Sequence, residues 1–387
     1  MKFFEDKTAQ YNKQGHYVCG DYYLCIKSIE GTVYILCDGV GSGTYANIAA
    51  INCASRLREH LRGGVPMRNA ASMVAAAMHR ARTESFPFAA FSIASILNDG
   101  SFDIFSYEAP EALLVRSGFA HVLQPTFFAA GLEAVGETSG TLEIGDSLIL
   151  CSDGITQAGM GHGRGFGIGS AGVASFVTRN LAEGKATFSL PEAIAAYCAD
   201  LSAGRHEDDT TLALLHCRPA VEVSCFTGPP SSKAKDQECV REFMAHPGEK
   251  IVCGSTTIDI LSRELNLPVR KVQPVVASFA SPPEYEIEGI SLTTEGAIML
   301  NQVYNILGEE PEEAEEEEGE QEDGVVARFC NMLTSADVIH FFVGGAVNEA
   351  HQALIFKQMG IMPRHRVLDN IMKKLQGMGK LVTERSY

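Results

Sequence analysis

The order in which short apolar runs, helical stretches and turns alternate through the first 217 residues constrains this chain more than any other feature. Residues 17–38 read as two strands joined at Glu30-Gly31, the second being Val33-Tyr34-Ile35-Leu36-Cys37 running into Asp38. Two helices should follow. One, from about Gly43 to Leu61, is rich in small residues (Ala46, Ala49, Ala50, Ala54); the other, from about Met67 to Thr83, carries Met73, Ala77 and Ala81 at fourfold spacing, and Gly63-Gly64-Val65-Pro66 separates them. Apolar runs then come in quick succession: Ala89 to Leu97, Phe102 to Tyr107, Ala112 to Arg116, and Ser147 to Cys151 after Gly145-Asp146. Asn98-Asp99-Gly100 between the first two is a hairpin signal. Helices near 170–183 and 191–203 precede a last strand, Thr211 to His216. This order implies an α+β domain of layered antiparallel sheets and helices, and argues against a βαβ nucleotide fold.

The chain is long enough for two domains at 387 residues, 45% of them apolar. Arg218-Pro219 and Gly228-Pro229-Pro230-Ser231-Ser232 interrupt both periodicities. We therefore expect a first domain over 1–218, a linker over 219–232, and a smaller α/β accessory domain over 233–387, regulatory or docking in role. There, Lys250 to Cys253 reads as a strand entering a helix at Gly254-Ser255-Thr256-Thr257, and Val338 to Val343 likewise runs into Gly344-Gly345 and a helix. The formal charge of −17 is mostly local, because residues 309–323 hold eleven carboxylates and no base, leaving −6 elsewhere. Such a run cannot pack while charged and is expected to be a disordered acidic insertion. The eleven cysteines form no CxxC pair, which argues against a disulfide framework or structural zinc. With no basic tip before an apolar core at the start and no apolar run of about 18 residues, the expected location is cytoplasmic, without a membrane partner.

Four acidic residues share one placement. Asp21 in Cys19-Gly20-Asp21, Asp38 in Asp38-Gly39-Val40-Gly41-Ser42-Gly43, Asp153 in Ser152-Asp153-Gly154 and Asp208 in Asp208-Asp209-Thr210-Thr211 each lie where an apolar strand meets a glycine or polar turn. Any one alone is an ordinary turn or cap. Together, with two helices after the second and a terminal strand after the last, they resemble the SpoIIE-like bacterial branch of the type 2C (PPM) metal-dependent protein serine/threonine phosphatases. The resemblance covers about residues 10–217 and includes Tyr107-Glu108-Ala109-Pro110 ahead of Leu113-Leu114-Val115-Arg116. It implies an αββα sandwich with a metal site at one edge, holding two Mn2+ or Mg2+ ions per active site, and direct attack of a metal-bound water on a phosphoserine or phosphothreonine. Hard dications suit an all-oxygen site and neutralise a phosphoryl dianion.

By resemblance, Asp38 bridges the two metals, the Gly39 carbonyl is a further ligand, Asp153 and Asp208 complete the cluster, and Asp21 contacts one metal directly or through water. Asp209 is either a support to the ligands, or to a third metal, or a turn residue. Val40 stands where eukaryotic relatives carry a histidine that protonates the leaving group, so that proton is expected from metal-bound water, and Leu24 replaces a second acid found in many relatives. The implied substrate is a phosphorylated protein of the anti-sigma-factor-antagonist class. No nucleic-acid partner is expected, and homodimerisation is compatible with the sequence. His162, Arg164 and His206 stay outside the catalytic set. A phosphatase-fold protein that binds a phosphorylated partner with little turnover is the competing reading, and the intact aspartates favour catalysis. In the second domain, capping accounts for Gly254–Thr257 more readily than anion binding does. Glu349 and His351 form no metal motif, and residues 366–376, with Val367, Ile371 and Leu375 on one stripe, should be a core-packed helix rather than a nucleic-acid reader.

Overall fold

The computed structural model describes residues 1–272, 282–308, 324–346 and 360–387. They divide into two compact units, Met1–Pro219 and Ala220–Tyr387. The acidic run at 309–323, the pair Glu349 and His351, and the helix expected after Gly344-Gly345 lie outside the described residues.

In unit 1, the strands are β1 (Lys2–Tyr11), β2 (Asp21–Lys27), β3 (Gly31–Gly39), β4 (Ala89–Leu97), β5 (Ser101–Tyr107), β6 (Leu113–Arg116), β7 (Phe119–Val122), β8 (Thr126–Ala130), β9 (Glu133–Thr141), β10 (Ser147–Cys151) and β11 (Thr210–Pro219). The helices are α1 (Thr44–Arg62), α2 (Met67–Thr83), α3 (Asp153–Thr156), α4 (Gly169–Ala182) and α5 (Leu190–Leu201). One sheet runs β1-β11-β10-β6-β7 and the other β2-β3-β4-β5-β9-β8, each antiparallel throughout. Strand periodicity sends alternate residues to opposite faces, and this sets the layers. Tyr34, Leu36, Ala94 and Ile104 of one sheet meet Phe4, Leu148, Leu150 and Leu215 of the other in a core between the sheets. The opposite faces take helices: Ile35, Phe91 and Ile93 pack on Ala50, Leu57 and Val74 of α1 and α2. Ile149, Leu212 and Leu214 pack on Val173, Val177 and Ile194 of α4 and α5. The layering is αββα. The alanines of α1 are what let it lie close to β3.

β1 is absent from the sequence reading, as are β7, β8 and β9. Its Phe3, Phe4 and Ala9 are buried, but charges interrupt them, and pattern analysis reads that as no strand at all. Those charges have partners on neighbouring elements: Glu5 with Arg218 (2.6 Å), Asp6 with Lys27 (2.7 Å) and Lys7 with Glu192 (2.8 Å). They let a polar edge strand pair with β11 over its full length, Lys2 opposite Pro219 and Tyr11 opposite Thr210.

Unit 2 contains β12 (Glu222–Thr227), α6 (Asp236–Ala245), β13 (Glu249–Cys253), α7 (Ser255–Leu265), β14 (Arg270–Lys271), β15 (Glu284–Glu286), β16 (Leu292–Thr294), α8 (Ala297–Ile306), α9 (Val325–Ser335), β17 (Val338–Val343), α10 (Arg364–Gly377) and β18 (Leu381–Ser386). Its sheet runs β14-β15-β16-β13-β12-β17-β18, with β16, β13, β12, β17 and β18 parallel. The expected linker over 219–232 is therefore wrong in its middle. Residues 222–227 are the middle one of the five parallel strands, buried throughout. The prolines on either side mark strand ends, where no ladder N–H is needed, and not a flexible tether. α10 buries Val367, Ile371 and Leu375 on one face, as the stripe predicts. All eleven thiols are free, and all but Cys25 are buried.

Candidate metal and catalytic site

Each sheet of unit 1 brings acids to the same edge. In the β2–β3 ladder Asp21 stands directly opposite Asp38. In the other sheet, β10 pairs with β11 so that Cys151 faces Leu212, and Ser152 is tied to Thr211 by two hydrogen bonds: Ser152 N–H donates to the Thr211 carbonyl and Thr211 N–H to Ser152 Oγ, each 2.9 Å. Asp153 and the Asp208-Asp209 pair follow and precede these strands immediately. Asp153 opens the short helix α3 rather than a plain turn, and its Oδ2 accepts from Gln157 Nε2 at 2.7 Å. Gly39 sits where α1 crosses the end of β3, and a Cβ there would lie 1.9 Å from the Ala46 carbonyl oxygen. Its glycine is thus demanded by the helix behind it, a constraint the sequence reading does not contain. Gly20 is constrained from the other side, since a Cβ would come within 2.7 Å of Asp209 Oδ2.

The four predicted aspartates feel one another. Burial pushes the Asp38 carboxyl well above its ordinary range, and the charges of Asp21 and Asp153, a hydrogen bond with Asp153, and Asp208 push the same way. Asp153 is also raised by burial, opposed by its hydrogen bond with Asp38, with Asp208 adding to the rise. Asp21, 2% exposed, is pushed up to about 6, first by burial; the Thr211 and Ser152 hydroxyls oppose this, and Asp209 and Asp153 reinforce it. Those hydroxyls lie close enough to favour its charge, yet neither Asp21 oxygen has a hydrogen-bond partner of normal geometry. Among the described residues, no three His, Cys, Asp or Glu side chains already converge as a finished coordination shell. The donor set nevertheless fits a hard dication. It is all oxygen, Asp21, Asp38 and Asp153 are each raised by burial and by the charge of a neighbouring acid, and the Asp21 oxygens and Asp209 Oδ2 are buried without partners among the described residues.

Lys13 escapes a strand-end search, and it contacts both Asp208 and the Asp209 whose role the sequence left open. Asp209, 4% exposed, accepts from the Lys13 N–H at 2.9 Å, and Lys13 Nζ lies 3.5 Å from Asp208 Oδ1. Both follow from the β1–β11 pairing, which sets Tyr11 against Thr210; recognising β1 as a strand would have exposed Lys13. A hollow of about 320 Å3 opens beside Asp208, lined in part by Arg205, His206 and Gln157. His206 stacks on Tyr11 at 4.8 Å, and burial lowers its pKa. His162 Nε2 lies 3.1 Å from Glu207 Oε1, and Arg164 lies over Gly159. Val40, beside Gly39, is 50% exposed.

Residues 30–218 match the family model described as Stage II sporulation protein E (SpoIIE). No curated protein matches the chain. Among solved structures, the PP2C phosphatase domain with a fragment of the regulatory domain of SpoIIE from Bacillus subtilis is 20% identical, with a TM-score of 0.48, over 56% of this chain and 62% of that one. The RsbU and RsbW domains of Rv1364c from Mycobacterium tuberculosis are 19% identical, with a TM-score of 0.47, over 62% and 70%. RsbX in complex with magnesium is 18% identical, with a TM-score of 0.41, over 56% and 100%. The chain thus spans about 62% of the SpoIIE structure it matches.

Proposed function

We propose, on the premise that residues 30–218 form a domain of the SpoIIE family, that unit 1 is a metal-dependent protein serine/threonine phosphatase of bacterial signalling. The observation that carries this reading is the meeting of Asp21 and Asp38 from one sheet with Asp153 and Asp208 from the other, where Asp38 is disfavoured in its charged form by all three. Asp21, Asp38, Asp153, Asp208 and the Gly39 carbonyl would hold two Mn2+ or Mg2+ ions, which supply charge neutralisation for the phosphoryl group and acidify water.

The chain's own groups do the rest. Asp38 interacts with Asp21 on one side and Asp153 on the other, so it is the carboxylate suited to being shared. Ser152 and Thr211 lock the two strand ends that carry the second pair of acids. Lys13 and Arg205 bring positive charge to the rim, which draws a phosphate dianion toward the acids. Val40 has no proton to give, so a water held in the site, and not a side chain at that position, would supply the proton for the leaving oxygen. The substrate class we propose is a phosphoserine or phosphothreonine protein such as an anti-sigma-factor antagonist.

Hydrolysis of p-nitrophenyl phosphate and of a phosphoserine protein is expected to need Mn2+ or Mg2+ and to stop on chelation. Turnover unaffected by chelation refutes the metal reading. Tight binding of the phosphoprotein without turnover at any metal concentration supports the binding-protein reading instead.

A further inference from the structure

The parallel strands of unit 2 stand in the order third, second, first, fourth, fifth along the chain, so the connections leave in opposite directions on either side of the β12–β17 pair. In open α/β sheets a crevice forms outside the carboxyl ends of the strands at such a reversal. Here a cavity of about 520 Å3 lies outside the carboxyl ends of β12, β13 and β16, and Arg364, bonded to the Gly344 carbonyl just past β17, reaches it from the other side of the reversal. That volume suits a small organic molecule and exceeds what a lone ion fills.

Its walls are built for an anion. α7 and α8 both begin at the cavity, and neither has a side-chain cap at its N-terminus. The sequence reading of Gly254–Thr257 as ordinary capping is therefore not what the structure has. The Thr257 hydroxyl turns away to accept from the Gly228 N–H at 2.8 Å, leaving the first-turn N–H groups of α7 facing the cavity. The two entry turns touch, because a Cβ on Gly296 would sit 3.5 Å from Gly254 Cα, so two positive helix ends are held side by side. Arg364, at the start of α10, lines the same space. Its Nη2 donates to the Gly344 and Ala346 carbonyls at 2.6 and 2.9 Å, while its buried Nε has no partner among the described residues. Gly228 must be glycine, with φ +80° and the Arg364 guanidinium where a Cβ would go.

An independent observation comes from β12. Thr227 lines the cavity with 0% exposure, and although the Cys253 thiol is close enough to feel it, its hydroxyl has no hydrogen-bond partner of normal geometry among the described residues. Burying a hydroxyl unpaired is unfavourable unless something else satisfies it. Glu295, also on the wall, repels a phosphate but accepts from a hydroxyl.

We propose that this cavity binds a small phosphorylated molecule bearing hydroxyl groups, its phosphate against the N-termini of α7 and α8 and Arg364, its hydroxyls toward Glu295 and Thr227. The site belongs to unit 2 alone and stands whether or not unit 1 is a phosphatase. Calorimetric titration of the whole chain in chelator with AMP, glucose 6-phosphate and inorganic phosphate tests it. At least one ester should bind one per chain and more tightly than inorganic phosphate. Thr256→Glu sets a carboxylate where the phosphate would lie yet suits the helix dipole, so melting should be unchanged while binding weakens by about tenfold or more. Arg364→Gln should weaken binding similarly, and Asp38→Asn should leave it intact. Three results overturn the proposal: neither ester binds better than inorganic phosphate, Thr256→Glu binds as the wild type does, or Asp38→Asn abolishes binding and so moves the site to unit 1.

Discussion

Asp38 is the residue on which the candidate site turns, because it is half-buried against three other acids and interacts with all of them. A buried carboxylate among like charges is tolerable only when protonated or matched by cations. Asp38→Asn and Asp153→Asn keep the shape and remove one charge. Phosphatase turnover should fall by more than the roughly 10–100-fold typical of losing an outer partner of a metal ligand. The melting temperature in chelator should stay level or rise, because mutual repulsion is relieved. Steady-state kinetics and thermal melts check both halves; turnover at the wild-type rate in either variant would remove these residues from the mechanism. Gly39 shows how narrow the tolerance is, with the Ala46 backbone where any side chain would begin.

Pairs of elements decide how such groups are held, and the β12–β17–β18 ladder of unit 2 gives a measurable case. His340 on β17 lies between Glu222 of β12, 3.2 Å from Nε2, and Thr383 of β18, 2.7 Å from Nδ1. Burial lowers its pKa and outweighs Glu222; Arg385 and Lys250 push the same way as burial, and His246 packs 4.5 Å from the ring. A histidine whose folded pKa lies below its unfolded value contributes stability above the unfolded value, about 6.5, that is lost as pH falls through the folded one. Hydrogen exchange of β17 and β18 peptides, corrected for intrinsic rates, should therefore show protection falling between pH 7.5 and 5.5. His340→Gln should flatten that slope. An unchanged slope in the variant would assign the effect elsewhere.

At the scale of the molecule, the boundary between units governs what can be cut. Pro219 ends unit 1, and the next strand, β12, is buried on both sides by α/β packing in unit 2. A chain ending at Pro219 should stay soluble and melt cooperatively, whereas one ending at Ser232 carries an orphaned apolar strand and should aggregate. Light scattering and melting curves distinguish them, and equal solubility of the two would count against this boundary. That same strand marks the limit of what sequence reveals. Period-2 apolar runs and a fixed order of helices made layered antiparallel sheets and the four strand-end aspartates legible, because alternation and turn chemistry are local properties, while the αββα order of the layers came only from the family resemblance. β1 and β12 were not, since charges hide one and prolines bracket the other, and each becomes a strand only through the neighbour that pairs with it. Lys13, the Ala46 backbone against Gly39, and the Thr227 hydroxyl in the cavity of unit 2 are likewise meetings of residues far apart in the chain. Such meetings depend on which sheet edges and helix ends the fold brings together, and only the tertiary structure decides that.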